Sequence, residues 1–389
     1  MSRQEAPNST YHGFEQGPIR PPNEARSLLI RVTRNCPWNR CMFCPVYKTA
    51  HFSTRPVEHV KKDIDLVRKH VETLRQLLDD SGRITIAGLQ KAAMRVEYEE
   101  WHVFDRAADW VYVGDMKSVF LQDADSLVIK PTDMVAILTH LRKQLPFVRR
   151  VTSYARAKTI ASRKVEDLKA IKEAGLDRIH IGLESGSDEV LARVNKGSTK
   201  EIQIKAGLKV KQAGMELSEY VMPGLGGQDL WEIHAIETAD ALSQINPDFI
   251  RLRTLAIPPQ APLFEEWQAG RFKKCTDLMI AKEMLLFIEK LDGITSYVKS
   301  DHILNLFMEL QGKLPEHKQR MIDLLSNYLG MEPEDQRLYQ VGRRLGILTR
   351  TRDLENPHKK AKVEKACRKL GITADNVDEV TDQLMTRFV

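Results

Sequence analysis

Three of the chain's five cysteines, Cys36, Cys41 and Cys44, fall in the stretch RVTRNCPWNRCMFCPVYK, residues 31–48. Their spacing is C-x4-C-x2-C. Three thiolates on one short loop can hold three corners of a cubane iron-sulfur cluster, which leaves a fourth iron open to the amino and carboxylate groups of a ligand. A structural zinc site takes four ligands, so a zinc reading has to recruit His51 or a more distant residue. Three unrelated buried thiols are the remaining alternative. Cys275 and Cys367 lie far from the triplet and from each other, in no cluster motif, so a second iron-sulfur cluster is not expected.

The elements that must carry this loop follow from hydrophobic period. SLLIRVT (27–33) is short, apolar and β-branched, which predicts a buried strand directly before the cysteines. Residues 56–80 keep apolar side chains at helical spacing behind a proline, and 82–115 read as mostly helical inserted material. Strand signals then alternate with helical ones. Strands are expected at 118–122, 150–154, 178–183, 216–221 and 249–257, and helices at 131–145, 163–174, 198–213 and 229–244, with further helix through 291. Six strand-helix units in regular alternation call for an α/β fold with parallel strands and right-handed crossovers, either an open sheet or a full or partial barrel. Ligands gather at the carboxyl ends of such strands. From about 297 the chain reads as helical, and SDHILNLF (300–307) reads as an apolar helix with Ser300 as its N-cap and His302 facing the core.

With these residues in view, the chain resembles the radical S-adenosylmethionine (SAM) superfamily. The cysteine loop, with Phe43 just before the last cysteine, is similar to that superfamily's cluster loop, although the commonest form has three residues between the first two cysteines rather than four. RIHIGLESGSDEVLARVNKG (178–197) and YVMPGLGG (220–227) are similar to the fourth-strand region and fifth-strand turn of the anaerobic coproporphyrinogen dehydrogenases, elongator-type enzymes and methylthiotransferases. The resemblance covers roughly residues 27–290. It implies a partial (β/α)6 TIM-like barrel over 27–292 with the helical insertion at 82–115, preceded by a polar lead (1–26) and followed by a helical C-terminal segment (293–389).

The resemblance also implies roles. Cys36, Cys41 and Cys44 would ligate a [4Fe-4S] cluster whose open iron chelates SAM, and one electron would split the sulfonium to a 5'-deoxyadenosyl radical that removes hydrogen from a substrate, an oxygen-sensitive chemistry. Phe43 would lie next to the adenine, and Ile257 would wall it. Gln122 and Asp123 stand where relatives place a turn for the methionine amino group. Glu184 would face the ribose or methionine, and Lys196 stands where relatives carry an arginine for the methionine carboxylate; a lysine keeps the charge but not the bidentate fork. Ser153 and Ser218 are further polar candidates. Tyr154, Arg156, Tyr220, Arg253 and His302 are the substrate-side candidates, with ordinary rim ion pairs, capping or core packing as the plainer readings.

Composition narrows the function without naming it. A hydrophobic fraction of 42% and 29% charged residues are ordinary for a globular protein, and no apolar run is long enough to span a bilayer. The N-terminus lacks the apolar region of a secretory signal, so the cytoplasm is the expected compartment. A net charge of +6 suits an anionic metabolite or an RNA. A small anionic substrate and an electron donor such as flavodoxin or ferredoxin are the expected partners. The rival reading is RNA, gripped by a basic C-terminal stretch with RR at 343 and HKK at 358. A non-enzymatic zinc protein is the third. Thirty-five residues precede Cys36, too few for a cobalamin-binding domain on that side.

Overall fold

The computed structural model describes residues 10–79, 84–114 and 116–385, together with the backbone of residues 3 and 4. The outermost residues of the expected lead and C-terminal segment, and two short parts of the 82–115 insertion, lie outside the described residues. Strands run in order β1 (Arg3–Gln4), β2 (Leu28–Arg31), β3 (Thr33–Arg34), β4 (Ser53–Thr54), β5 (Ser118–Gln122), β6 (Arg150–Ala155), β7 (Arg178–Glu184), β8 (Glu216–Val221), β9 (Phe249–Leu252), β10 (Tyr297–Lys299) and β11 (Gly312–Lys313). The chain forms two compact units, one of residues 1–39, 46–181 and 209–217, the other of 40–45, 182–208 and 218–389.

In the first unit β2, β5, β6 and the start of β7 are parallel neighbours, in register Leu28↔Val119, Ser118↔Arg150 and Thr152↔Arg178. Every residue of β5 is buried, as a strand covered on both faces requires. Helix α1 (Val57–Arg75) turns Val60, Ile64, Val67, Val71 and Leu74 inward, one stripe at 3.6-residue spacing. In the insertion, α2 (Ile86–Ala93) is capped by Thr85, which accepts from the Gly88 N–H, while α3 (Trp101–Tyr112) packs on α1 through Val103, Phe104, Ala107 and Trp110. Pro131 opens α4 (Pro131–Gln144) at a position where its missing N–H costs nothing. The helix expected at 163–174 is α6 (Val165–Glu173), and a short helix that was not expected, α5 (Ala157–Ser162), precedes it.

In the second unit β9 pairs parallel with β8 (Ser218↔Phe249) and with β10 (Tyr297↔Phe249), and β11 runs antiparallel to β10. Helix α7 (Asp188–Arg193) is capped by Ser187, whose hydroxyl accepts from the Val190 N–H. Helix α8 (Lys200–Gln212) follows. Helix α9 (Gly227–Ile245) ends at Asn246 in the left-handed conformation, and α10 (Leu263–Gln268) and α11 (Asp277–Lys290) lead to the C-terminal helices α12 (Lys318–Leu329), α13 (Pro333–Arg344), α14 (Pro357–Leu370) and α15 (Val377–Met385).

Four expectations need correction here. Strands do occur after 297, but with three and two residues β10 and β11 are too short to show a period. The strand expected at 249–257 stops at Leu252. Residues 300–307 are not helical: Asn305 donates to Leu252 O (2.8 Å) and Ser300 Oγ (3.0 Å) and accepts from the Thr254 N–H (2.9 Å), so a side chain supplies the bonds a helix would have made. Arg343 and Arg344 are buried; Arg344 donates to Leu304 O (2.6 Å) and pairs with Asp277 (2.5 Å), so this pair does not face a phosphate chain.

Candidate functional site

In the first unit the chain leaves β3 through Asn35 and Asn39, both at positive φ (68° and 47°), where Asn is better tolerated than most residues. Between them Cys36 is half-buried, and the Asn39 N–H points at its sulfur (3.5 Å). Asn39 also donates to Tyr47 O, and Lys48 donates to Asn39 O (3.2 Å). Beneath this turn Asp123 is fully buried. It accepts from Arg31 Nη2 (2.7 Å), the Asn35 N–H (3.2 Å) and Tyr47 OH (2.6 Å), and its own N–H donates to Thr33 Oγ1 (3.2 Å). Its carboxylate is thus a brace for the start of the cysteine loop.

Gln122 bonds to the lead, accepting from the Gly17 N–H (2.8 Å) and donating to Ile19 O (2.6 Å). Ser153 donates to backbone carbonyls of Leu121 and Tyr154 (both 3.1 Å). Tyr154 packs edge-on against Phe120 and His180. The Arg156 guanidinium lies 5.2 Å from the centre of the Trp38 ring, inside the cysteine loop.

In the second unit Cys41 and Cys44 form one turn, closed by Cys44 N–H to Cys41 O (3.4 Å). Met42 at its centre is clamped by its backbone: its N–H donates to Val194 O (2.9 Å), and its carbonyl accepts from the Leu263 N–H (2.8 Å). All five cysteines of the chain are thiols. Phe43 packs against an apolar cluster that contains Val190, Val194, Leu225, Leu255 and Ile257, which brings Phe43 and Ile257 to one cluster.

Glu184, at φ 63°, and Lys196 meet at 3.0 Å, and the Lys196 ammonium also lies 5.7 Å over the Phe43 ring. Gly182 makes this pair fit, because a Cβ there would collide with Glu184 Oε1 and crowd Lys196 Nζ. Glu219 on β8 has zero exposure, and neither of its carboxylate oxygens has a hydrogen-bond partner among the described residues. Burial pushes its pKa well above the carboxylate range, against the pull of Lys196 and with the help of Glu184. Ser218 is likewise buried with its hydroxyl unpartnered. Sequence reasoning missed Glu219, although a charge inside ELSEYV was its signal.

The ends of β7 and β8 are tied by buried polar groups that sequence reasoning also missed. The Met222 N–H donates to Glu184 O (3.0 Å). His234 Nε2 lies 3.1 Å from Met222 O, which can only accept, so Nε2 carries the proton and Nδ1 accepts from Ser185 Oγ (2.8 Å). Burial lowers the His234 pKa to about 4. Glu283 accepts from the Gly224 N–H (2.9 Å), and burial raises its pKa to about 8. Among the remaining candidates Arg253 is exposed and Tyr220 half-buried. Asp301 pairs with Arg251 (2.6 Å). His302 is half-buried, its pKa lowered to about 4 by burial and by the charge of Arg253.

A family profile described as the Radical SAM superfamily matches residues 30–239, more than half of the chain. A tRNA uridine(34) acetyltransferase of Methanocaldococcus infernus is 22% identical over 255 residues, covering 61% of this chain and 44% of that protein. Heme chaperone HemW of Bacillus subtilis is 22% identical over 159 residues, 40% of this chain and 41% of the relative. The chain therefore spans less than half the length of these relatives. Among solved structures, coproporphyrinogen III oxidase from Escherichia coli is similar at a TM-score of 0.43 and 13% identity, over 68% of this chain and 52% of that one. Methylornithine synthase is similar at a TM-score of 0.42 and 14% identity, over 71% and 66%.

Proposed function

The chain belongs to the Radical SAM superfamily, and from that premise we propose that Cys36, Cys41 and Cys44 hold its [4Fe-4S] cluster while Glu184 and Lys196 receive S-adenosylmethionine. The protein is a radical SAM enzyme that works with these two cofactors. When bound and reduced, they supply a 5'-deoxyadenosyl radical that takes a hydrogen atom from the substrate. The donor set fits the cluster: three thiols on one loop, with an N–H directed at the sulfur of Cys36.

The observation that carries the reading is the Glu184–Lys196 pair over Phe43, the residue just before Cys44. Lys196 offers a point charge to the methionine carboxylate, and Glu184 accepts from ribose hydroxyls or the methionine ammonium. Phe43 and Ile257 present an apolar wall to adenine. Asp123 serves the site indirectly by fixing the turn that carries Cys36.

The substrate we propose is a small anion, for which Arg156 and Tyr154 are the candidates in the first unit and Arg253, Tyr220 and His302 those in the second, with flavodoxin or ferredoxin as electron donor. A second reading, an RNA substrate, draws on the tRNA-modifying relative and on the exposed Lys362, Lys365, Arg368 and Lys369 of α14. Filter binding to bulk tRNA over a salt series separates the two, because only the RNA reading gives a steep salt slope.

The primary test is anaerobic reconstitution, then SAM and a strong reductant, with 5'-deoxyadenosine as the readout. Cys41→Ala is expected to abolish the product. Lys196→Met is expected to weaken SAM binding by about 10- to 150-fold, the worth of one charge-assisted hydrogen bond at roughly 1.5–3 kcal/mol. Full cleavage by the first variant, or wild-type affinity in the second, refutes the assignment.

A further inference from the structure

Glu219 is a carboxyl group in a place where a carboxylate is costly. It is fully buried in β8, opposite Ile250 of β9 in the strand register, and no donor among the described residues reaches either oxygen. The charged groups that act on it are Lys196, after α7, and Glu184, at the end of β7. Lys196 already donates to Glu184 at 3.0 Å. One ammonium thus contacts the Glu184 carboxylate and acts through its charge on Glu219 behind it, and it is balanced by Glu184 alone only while Glu219 keeps its proton.

We infer that Glu219 is a positioning residue for SAM: as the neutral acid it leaves Lys196 to serve the incoming methionine carboxylate, and as the anion it draws Lys196 inward and opposes that carboxylate. This rests on the reading of Lys196 proposed above. The buried acid acts through the lysine and touches no reacting atom, so its signature is a pH dependence of binding rather than a loss of chemistry.

The test is equilibrium dialysis of labelled SAM against the reconstituted enzyme without reductant, over the whole pH range in which the enzyme keeps its fold and its cluster. Wild type is expected to lose about tenfold in affinity as pH rises, the equivalent of one unit of differential interaction, whereas Glu219→Gln holds its affinity across the range. Infrared spectroscopy of the wild type supplies a second readout. The carbonyl stretch of a protonated carboxylic acid should be present at low pH, vanish with the midpoint of the affinity change, and be missing in Glu219→Gln. A variant that keeps the wild-type pH dependence overturns the inference, and so does a wild-type band whose midpoint differs from that of binding. Lys196→Met distinguishes the two levels. If it binds SAM like wild type, the parent reading falls and takes this one with it; if it weakens binding while Glu219→Gln leaves the pH dependence intact, only the role of Glu219 falls.

Discussion

Replacing Glu283 by glutamine should remove a specific part of the protein's pH-dependent stability. The Glu283 carboxyl is fully buried, and burial raises its pKa from an ordinary 4.5 to about 8. The folded state holds this proton more tightly than the unfolded chain. The associated stability is therefore complete below pH 4.5 and is lost as pH rises through about 8. At about 1.4 kcal/mol per pH unit the whole window is worth about 5 kcal/mol. His234, 3.5 Å away, works in the opposite direction. Its pKa is lowered from 6.5 to about 4, so the stability tied to its neutral form is lost as pH falls below 6.5. The two oppose each other between pH 4.5 and 6.5, and Glu283 can be read without His234 only between 6.5 and 8, where it contributes about 2 kcal/mol. Urea denaturation of both proteins at pH 6.5 and pH 8 is the assay. Glutamine keeps an acceptor for the Gly224 N–H, so the variant should fold. Wild type should gain about 2 kcal/mol more than Glu283→Gln on going from pH 8 to 6.5. Equal gains in the two proteins would show that Glu283 is not held as a neutral acid.

Three further outcomes are expected. Gly182→Ala places a methyl group against the ends of the Glu184 and Lys196 side chains, which can swing aside, so it should cost at most about tenfold in SAM affinity by dialysis, with iron content unchanged. Asp123→Asn removes the nearer of the two carboxylates paired with Arg31, Glu15 remaining at 3.6 Å, so it should lower unfolding stability by about 1–3 kcal/mol and reduce iron uptake on reconstitution. Arg344→Met leaves Asp277 a buried carboxylate without its arginine. It should lower stability by about 3–5 kcal/mol while leaving the salt slope of tRNA filter binding as it is in wild type.

The strand-helix alternation was legible because parallel strands buried on both faces must be short apolar runs, as SVFLQ and RIHIGL are. The cysteine spacing was legible as a possible ligand set, and Glu184 and Lys196 were singled out only through the family resemblance; that their side chains meet is what the fold adds. The rest depended on partners that no local pattern carries. SDHILNLF has the composition of a helix, yet the Asn305 amide bonds to Leu252, Thr254 and Ser300 and sets another path. RR at 343 looks like a phosphate grip until Asp277 and the carbonyls of Ile303 and Leu304 are found around it. Glu219 gains its meaning only from the lysine brought beside it by the fold.

The clamp on Met42 shapes how this enzyme survives in air. Its two hydrogen bonds use only main-chain atoms, so neither depends on a metal ligand. Oxidative loss of metal should then leave an intact socket that can be refilled. Most side chains are tolerable at position 42, but proline, which lacks the N–H bound by Val194, would undo one of the stitches.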